Sequence, residues 1–462
     1  MAALPTKQVL GLTDITLMTI TANFGIRWLA VAATLGFAAI GYWVIGAILF
    51  FIPLAFMSAH LSKRYPEEGG MYAWTRHVLG EKAGFMVAWL YWINNVFYYS
   101  AILIFLSTNF AYFLGDPGLI NNTWYLNISV LCAFWLIVII GLYGLNWVRH
   151  VVKYGGLFGL IIPAAVLIGF GFFALIKFGY SATPWSWQHL LPKHHAIASL
   201  SHLTMIMFAM AGIEVIPTFA NSVKNAKRNL YLGLLLGAIG ILMLYILGTM
   251  AMNILLSPTQ IQETSGLMHS FAAIGMKFHL PWFSQTFAFL LTFAELAALA
   301  VWLLAPITMF FKCTPAGVLP EVLHKTDKNG TPRNAILFMG VLVTAIVLLT
   351  NSLPGVNVMY QALVLMATIL YFIPYLFLAV IYAKSHAHFP LPKYAVFALS
   401  AGVLVSITLG ILFSFAPPSG VTSLHGIIVY ELNLVFGPLI FLLIGYGLYR
   451  RYEKRRLSHN SH

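Results

Sequence analysis

Long apolar runs recur along the whole chain, separated by short polar joints, and none shows the strict alternation of a half-buried strand. A helix needs about 20 mostly apolar residues to cross a bilayer. Twelve runs meet that length, near residues 12–36, 39–62, 83–114, 123–145, 149–177, 197–221, 229–256, 282–312, 334–352, 357–383, 394–416 and 428–449. Inside lipid the backbone must satisfy its own hydrogen bonds, so such runs predict an all-α membrane protein with twelve transmembrane helices, not a barrel. The longest joints, about 178–196, 257–281 and 313–333, are too short to bury a core of their own, so residues 1–462 are expected to form a single transmembrane domain. The 257–281 joint reads equally as a short outer helix capping the bundle, over Ser265–Gly275, or as a plain surface loop.

Composition agrees: the chain is 60% hydrophobic and only 8% charged, a balance that excludes a soluble domain. The few charges then set the orientation, because basic residues are retained in cytoplasmic loops. With the N-terminus inside, the inner joints and the tail collect 21 of the 25 lysines and arginines, and the outer joints hold only Lys177, Lys193 and Lys277. One basic residue, Arg27, belongs to no joint. The net charge of +13 is therefore a topology signal and implies no nucleic-acid partner. A multi-pass plasma membrane protein, of a bacterial inner membrane, with both termini cytoplasmic is expected. The basic run 450–456 is expected to lie against anionic headgroups. Residues 1–10 lack a basic n-region and a small-residue cleavage site, so no cleavable signal is expected. Cys132 and Cys313 fall in or at the end of different spans and give no disulfide framework.

Two spans are interrupted by polar residues and glycine in their middle. The first interruption is Thr21, Ala22, Asn23, Phe24 and Gly25; the second is Met210, Ala211, Gly212 and Glu214. Broken helices expose backbone groups near the membrane midplane, the usual place for a transport site. If spans 1–5 and 6–10 are two repeats, the breaks occupy equivalent places in each. The unwound ends can then hold the amino and carboxyl groups of a small zwitterion, since they carry partial charges of both signs.

Three ionisable residues fall inside spans: Arg27, Glu214 and Glu295. Such groups usually face the bundle interior and pair or line a pathway. Arg27 lies just after the first break, about one turn beyond Asn23, so pairing with Glu214, pairing with Glu295 and direct contact with cargo all fit. A guanidinium does not release its proton, whereas Glu295 can, which makes Glu295 the candidate for proton coupling. Lys153, at the start of span 5, reads as an interfacial anchor. His194, His195 and His202 have no carboxylate or thiol near them in sequence, so no metal is expected, and no fingerprint for any cofactor is present.

The segments Ile20-Thr-Ala-Asn23, Tyr65-Pro-Glu-Glu-Gly-Gly-Met-Tyr-Ala-Trp74, Gly212-Ile-Glu-Val215, Ala294-Glu-Leu-Ala297, Leu319-Pro320 with Lys328-Asn-Gly-Thr-Pro332, and Tyr430-Glu-Leu432 resemble the amino acid-polyamine-organocation transporter superfamily. Within it the chain, from about residue 8 to 450, is most similar to the bacterial glutamate/γ-aminobutyrate antiporters. The resemblance implies a LeuT-like bundle: inverted repeats over about 12–177 and 197–383, two further helices over about 394–449, and a short tail 450–462. It implies an amino acid or derived amine as cargo, with protons as possible partners. It also implies that Lys153 takes the place of a coupling sodium ion, and that Tyr371, Tyr375 and Asn94 line the pathway. Arg27 departs from the better-known antiporters, which have uncharged or aromatic residues there, so the cargo can differ. Proton-coupled symport is the alternative mechanism. A channel would need a polar lining along the whole bundle, but the polar residues cluster at mid-depth. An intramembrane enzyme would need a nucleophile or metal ligands beside Arg27, Glu214 and Glu295, and none is in evidence.

Overall fold

The structure is a computed structural model, in which residues 10–65, 70–142, 157–185, 198–216, 223–315, 317–327, 331–350, 355–417, 421 and 423–459 are described. Among these, regular structure is helical apart from one isolated bridge between Leu10 and Val223. The helices are α1 (Leu12–Asn23), α2 (Arg27–Ala33), α3 (Ala38–Arg64), α4 (Met71–Leu79), α5 (Glu81–Phe113), α6 (Thr123–Leu142), α7 (Phe158–Phe178) and α8 (Ala198–Ala209). They continue with α9 (Ala226–Leu255), α10 (Gly266–Lys277), α11 (Phe283–Cys313), α12 (Arg333–Thr350), α13 (Val356–Lys384), α14 (Lys393–Phe413) and α15 (Leu424–His459). Among the described residues nine helices are long and apolar enough to cross a membrane, and α1 with α2 makes a tenth if the bent pair is one span. Two shorter apolar helices lie at Leu200–Ile216 and Arg333–Leu349.

The bundle is organised around α5, whose residues are buried along most of its length and which packs against α11 and α13. Lipid is as apolar as leucine, so close approach of backbones, not exclusion of water, holds such helices together. The contact of α1 with α9 shows how. A methyl group on Gly237 would come within 2.5 Å of Thr19, and one on Gly233 within 2.5 Å of Ile15, so these glycines let the two backbones meet. Further along, Gly248 receives Leu29 of α2.

Proline positions account for the irregular turns. A π-helical turn at Ala47–Phe51 leads into Pro53, and another at Leu157–Ile161 leads into Pro163. Proline supplies no N–H to the carbonyl four residues back. For Pro53 that carbonyl is Leu49, which accepts instead from the Ser406 hydroxyl at 3.3 Å. For Pro306, inside α11, it is Trp302, which accepts from Tyr99.

Two expectations sharpen. The 257–281 joint does contain a helix, α10, and its Leu267, Met268, Phe271 and Ile274 are buried, with Phe271 stacked on Phe287 at 4.4 Å. The last span does not end near 449: α15 carries the basic tail on as helix to His459, and Arg456 pairs at 2.9 Å with Glu81 at the start of α5. Both partners of that pair are partly exposed, so it adds little stability.

Candidate functional site

The first apolar span stops being helical at Phe24, and α1 and α2 meet at 60°. The second stops at Met210, passes through Gly212 at φ +114°, and resumes as one tight turn over residues 213–216. Only glycine takes that backbone conformation without strain. The two breaks face each other: a methyl group on Gly212 would lie 2.6 Å from Asn23 Oδ1, while Asn23 Nδ2 donates back to Thr19 C=O at 2.8 Å. Several backbone groups freed by the breaks are taken by tyrosine hydroxyls. Gly212 N–H donates to Tyr375 Oη at 3.0 Å, and Gly25 N–H donates to Tyr245 Oη at 3.1 Å.

Two acidic centres flank the breaks. Glu214, 3% exposed, accepts from Tyr371 Oη at 2.8 Å through one oxygen and from Tyr375 Oη at 2.7 Å through the other. Tyr371 Oη in turn lies 3.3 Å from Tyr91 Oη on α5. Glu295 on α11 is the counterion of Arg27: Nη1 lies 3.2 and 3.4 Å from its two oxygens. Arg27 Nη2 donates to Tyr98, and the guanidinium sits 5.0 Å from the Trp28 ring centre and 5.2 Å from that of Tyr98. A buried charge left without its partner costs several kcal/mol, which explains why the acid and base are found together. The Phe208 ring stands edge-on to Trp28, Tyr98 and Tyr371, so one aromatic side chain separates the Arg27 centre from the Glu214 centre.

The remaining sequence-derived candidates divide. Phe24 packs its ring against Tyr245 at 5.0 Å. Asn94 is buried on α5, where its amide bonds carbonyls of its own helix, and its spacing puts it on one face between Tyr91 and Tyr98. Thr21 and Ala22 are exposed, and the Thr21 hydroxyl returns to Leu17 C=O at 2.9 Å, so the structure leaves them on α1 and does not turn them toward Gly212. Met210 is buried with its methyl end toward Gly46 of α3, and Ala211 is half-buried. Lys153, His194 and His195 lie outside the described residues.

The pairing of Arg27 with Glu214 is not the one formed, because two tyrosines already occupy the Glu214 carboxylate. His202 also differs from expectation. It has a carboxylate partner after all, since Glu263 reaches it from 61 residues away, at 2.9 Å. Gln361 of α13 donates to the same Glu263 oxygen, and Asn357, one turn earlier, accepts from Thr264 N–H and hydroxyl. Among the described residues no group of three metal-ligating side chains comes together.

Sequence reasoning passed over Tyr91, Tyr98 and Tyr245. The signal available for the first two was the face Tyr91, Asn94, Tyr98 at helical spacing on a long span.

The model of the amino acid permease family matches residues 10–441. The chain is 27% identical to a Legionella pneumophila protein named as an uncharacterized transporter, over 98% of this chain and 99% of that one. It is 22% identical to the glutamate/gamma-aminobutyrate antiporter of Lactococcus lactis, over 90% of this chain and 85% of the relative. It is 25% identical to a probable agmatine/putrescine antiporter of the same species, over 77% and 75%.

Proposed function

Since the chain belongs to the amino acid permease family, we propose that it is a secondary active amino acid antiporter of glutamate/γ-aminobutyrate type, working by alternating access. The observation that carries this reading is the facing pair of broken helices, with Asn23 against Gly212 and a buried acid-base pair beside them. In this reading the ten long or bent spans and the two shorter apolar helices make twelve crossings. Residues 12–177 and 197–383 are inverted repeats of a LeuT-like bundle, 394–449 adds two helices, and both termini face the cytoplasm of a bacterial cell. Break backbone at Asn23–Gly25 and Met210–Gly212 receives the amino and carboxyl groups of the cargo, and Tyr371, Tyr375 and Glu214 close over it.

Arg27 and Glu295 discriminate between cargoes. A cargo with a second carboxylate competes with Glu295 for the guanidinium, and Glu295, once displaced, is neutralised by a proton, because an unpaired buried carboxylate is too costly. A zwitterion without a second acid leaves the pair closed. Exchange of the two kinds is what the name of the Lactococcus antiporter describes. One observation favours a second reading. Two buried carboxylates, Glu214 and Glu295, flank the breaks beside a single buried guanidinium, a balance that suits an amine taken up with or against protons, as the name of the second Lactococcus relative suggests. Lys153 remains a proposed coupling residue on the resemblance alone.

Purified protein in proteoliposomes decides between these. Labelled glutamate uptake is expected to saturate and to rise several-fold when the lumen holds γ-aminobutyrate. Uptake into empty vesicles driven by a pH gradient would replace exchange with symport. Competition by putrescine or agmatine but not glutamate would install the amine reading. Unsaturable, gradient-insensitive flux would end the transporter reading altogether.

A further inference from the structure

Tyr245 stands on α9, outside both breaks, yet its one hydroxyl reaches each of them. It accepts from Gly25 N–H at 3.1 Å, with Ala209 C=O at 2.9 Å and Asn23 C=O at 3.2 Å as acceptors for its proton. Asn23 ends α1 and Ala209 ends α8, so the two carbonyls are those left over where each helix stops. A phenol has a single proton, so it satisfies one of these carbonyls at a time and can pass from one to the other by rotation of its O–H bond. The ring does not move with that rotation. It is fully buried, stacked on Trp43 at 4.1 Å with the planes 6° apart. Trp43 is fixed in turn by donating to Thr249, one turn further along α9, at 3.1 Å.

We propose that Tyr245 is a positioning residue for transport: its hydroxyl is the shared hydrogen-bond partner through which the two breaks hold the backbone geometry that receives the cargo. The inference rests on the transporter reading above. A rigid ring carrying a rotatable O–H lets one break tilt while the other stays held, because the proton changes acceptor without the oxygen leaving its place. No other described side chain bonds the backbone of both breaks.

Tyr245→Phe tests this in the full chain, since it removes one oxygen and keeps the ring, its stack and its volume. In proteoliposomes the variant is expected to raise the KM for the exchanged amino acid about tenfold or more, the order of one or two lost hydrogen bonds at a buried site. The maximal rate falls less than KM rises, and the thermal midpoint stays within a few degrees. Tyr382→Phe removes a buried tyrosine hydroxyl that meets His60, away from both breaks, and leaves KM within twofold. A Tyr245→Phe KM within twofold of wild type overturns the assignment. So does an equal rise in Tyr382→Phe, which would make the effect a general one of losing a buried hydroxyl. So does a Tyr245→Phe chain that no longer folds, which would give the hydroxyl to the fold and not to the cargo. If the wild type exchanges no amino acid the transporter reading itself fails, whereas a wild type that exchanges beside an indistinguishable variant removes only this role.

Discussion

Arg27 and Glu295 are each 7% exposed or less at the side chain, and among the described residues each is the other's charged partner. Removing one leaves the other as a buried, unmatched charge, whereas replacing both with apolar groups of similar size removes the desolvation cost along with the attraction. Arg27→Ala is therefore expected to destabilise the protein by about 3–5 kcal/mol, and Arg27→Met with Glu295→Leu to recover most of that loss. Denaturant unfolding in detergent measures both. Transport separates the roles: the double variant is expected to fold and yet lose exchange of acidic cargo, and a double variant that transports glutamate normally would reduce the pair to scaffolding. Arg27→Lys keeps the charge but loses the planar fork, so a clear loss of glutamate affinity is expected there too.

Arg27, Glu214 and Glu295 were legible in the sequence because a charge within an apolar run stands out from its surroundings. The tyrosines were not. With 22 tyrosines in the chain, one more in a membrane helix is unremarkable until its hydroxyl is seen to have a backbone partner. Nor was the His202–Glu263 contact, since Glu263 lay in a joint and nothing local in either segment points to the other.

At the scale of whole elements, the breaks were legible as polar interruptions, because Asn23 with Gly25 and Gly212 with Glu214 combine a polar side chain and a glycine in the middle of an apolar run. Which glycines serve packing was not, since each looks alike along the chain. Gly237 and Gly169 make the contrast testable. A Cβ at Gly237 would meet Thr19 Cβ and Cγ2 at 2.5 Å, whereas one at Gly169 would meet nothing within 4 Å. Gly237→Ala must push α1 away from α9 and is expected to cost about 1–3 kcal/mol, the usual penalty for overfilling a packed contact. Gly169→Ala is expected to be neutral or stabilising by up to about 1 kcal/mol, because alanine is the better helix former. Thermal midpoints in one detergent compare the two, and equal effects would mean that the α1–α9 contact yields more easily than its spacing implies. A shift of α1 carries Asn23 with it, so Gly237→Ala is also expected to weaken exchange, although it touches no part of the site.

For the molecule as a whole, orientation is the property on which the direction of transport depends, and it rests on the asymmetry of lysine and arginine between alternate joints. In the proposed orientation 257–281, with α10, lies on the outer side, and 313–333, which carries Lys325, Lys328 and Arg333, on the inner side. The native chain suits a direct measurement because it has only two cysteines, and replacing Cys132 and Cys313 with alanine leaves a blank background. A single cysteine is then placed either at Thr259, in the short helical turn before α10, or at Lys325, in the joint before α12; both sites are polar and exposed. In intact cells a membrane-impermeant maleimide is expected to label Thr259→Cys and to leave Lys325→Cys unlabelled until the membrane is opened. The reverse pattern would invert the protein and put the His202–Glu263–Gln361 contact on the cytoplasmic side. Labelling of both positions would break the alternation of crossings between them, and with it the inverted-repeat reading. The pattern expected here fixes on which side of the membrane the Glu263 contact lies: it joins α8 and α13 at the end of the bundle where α10 lies.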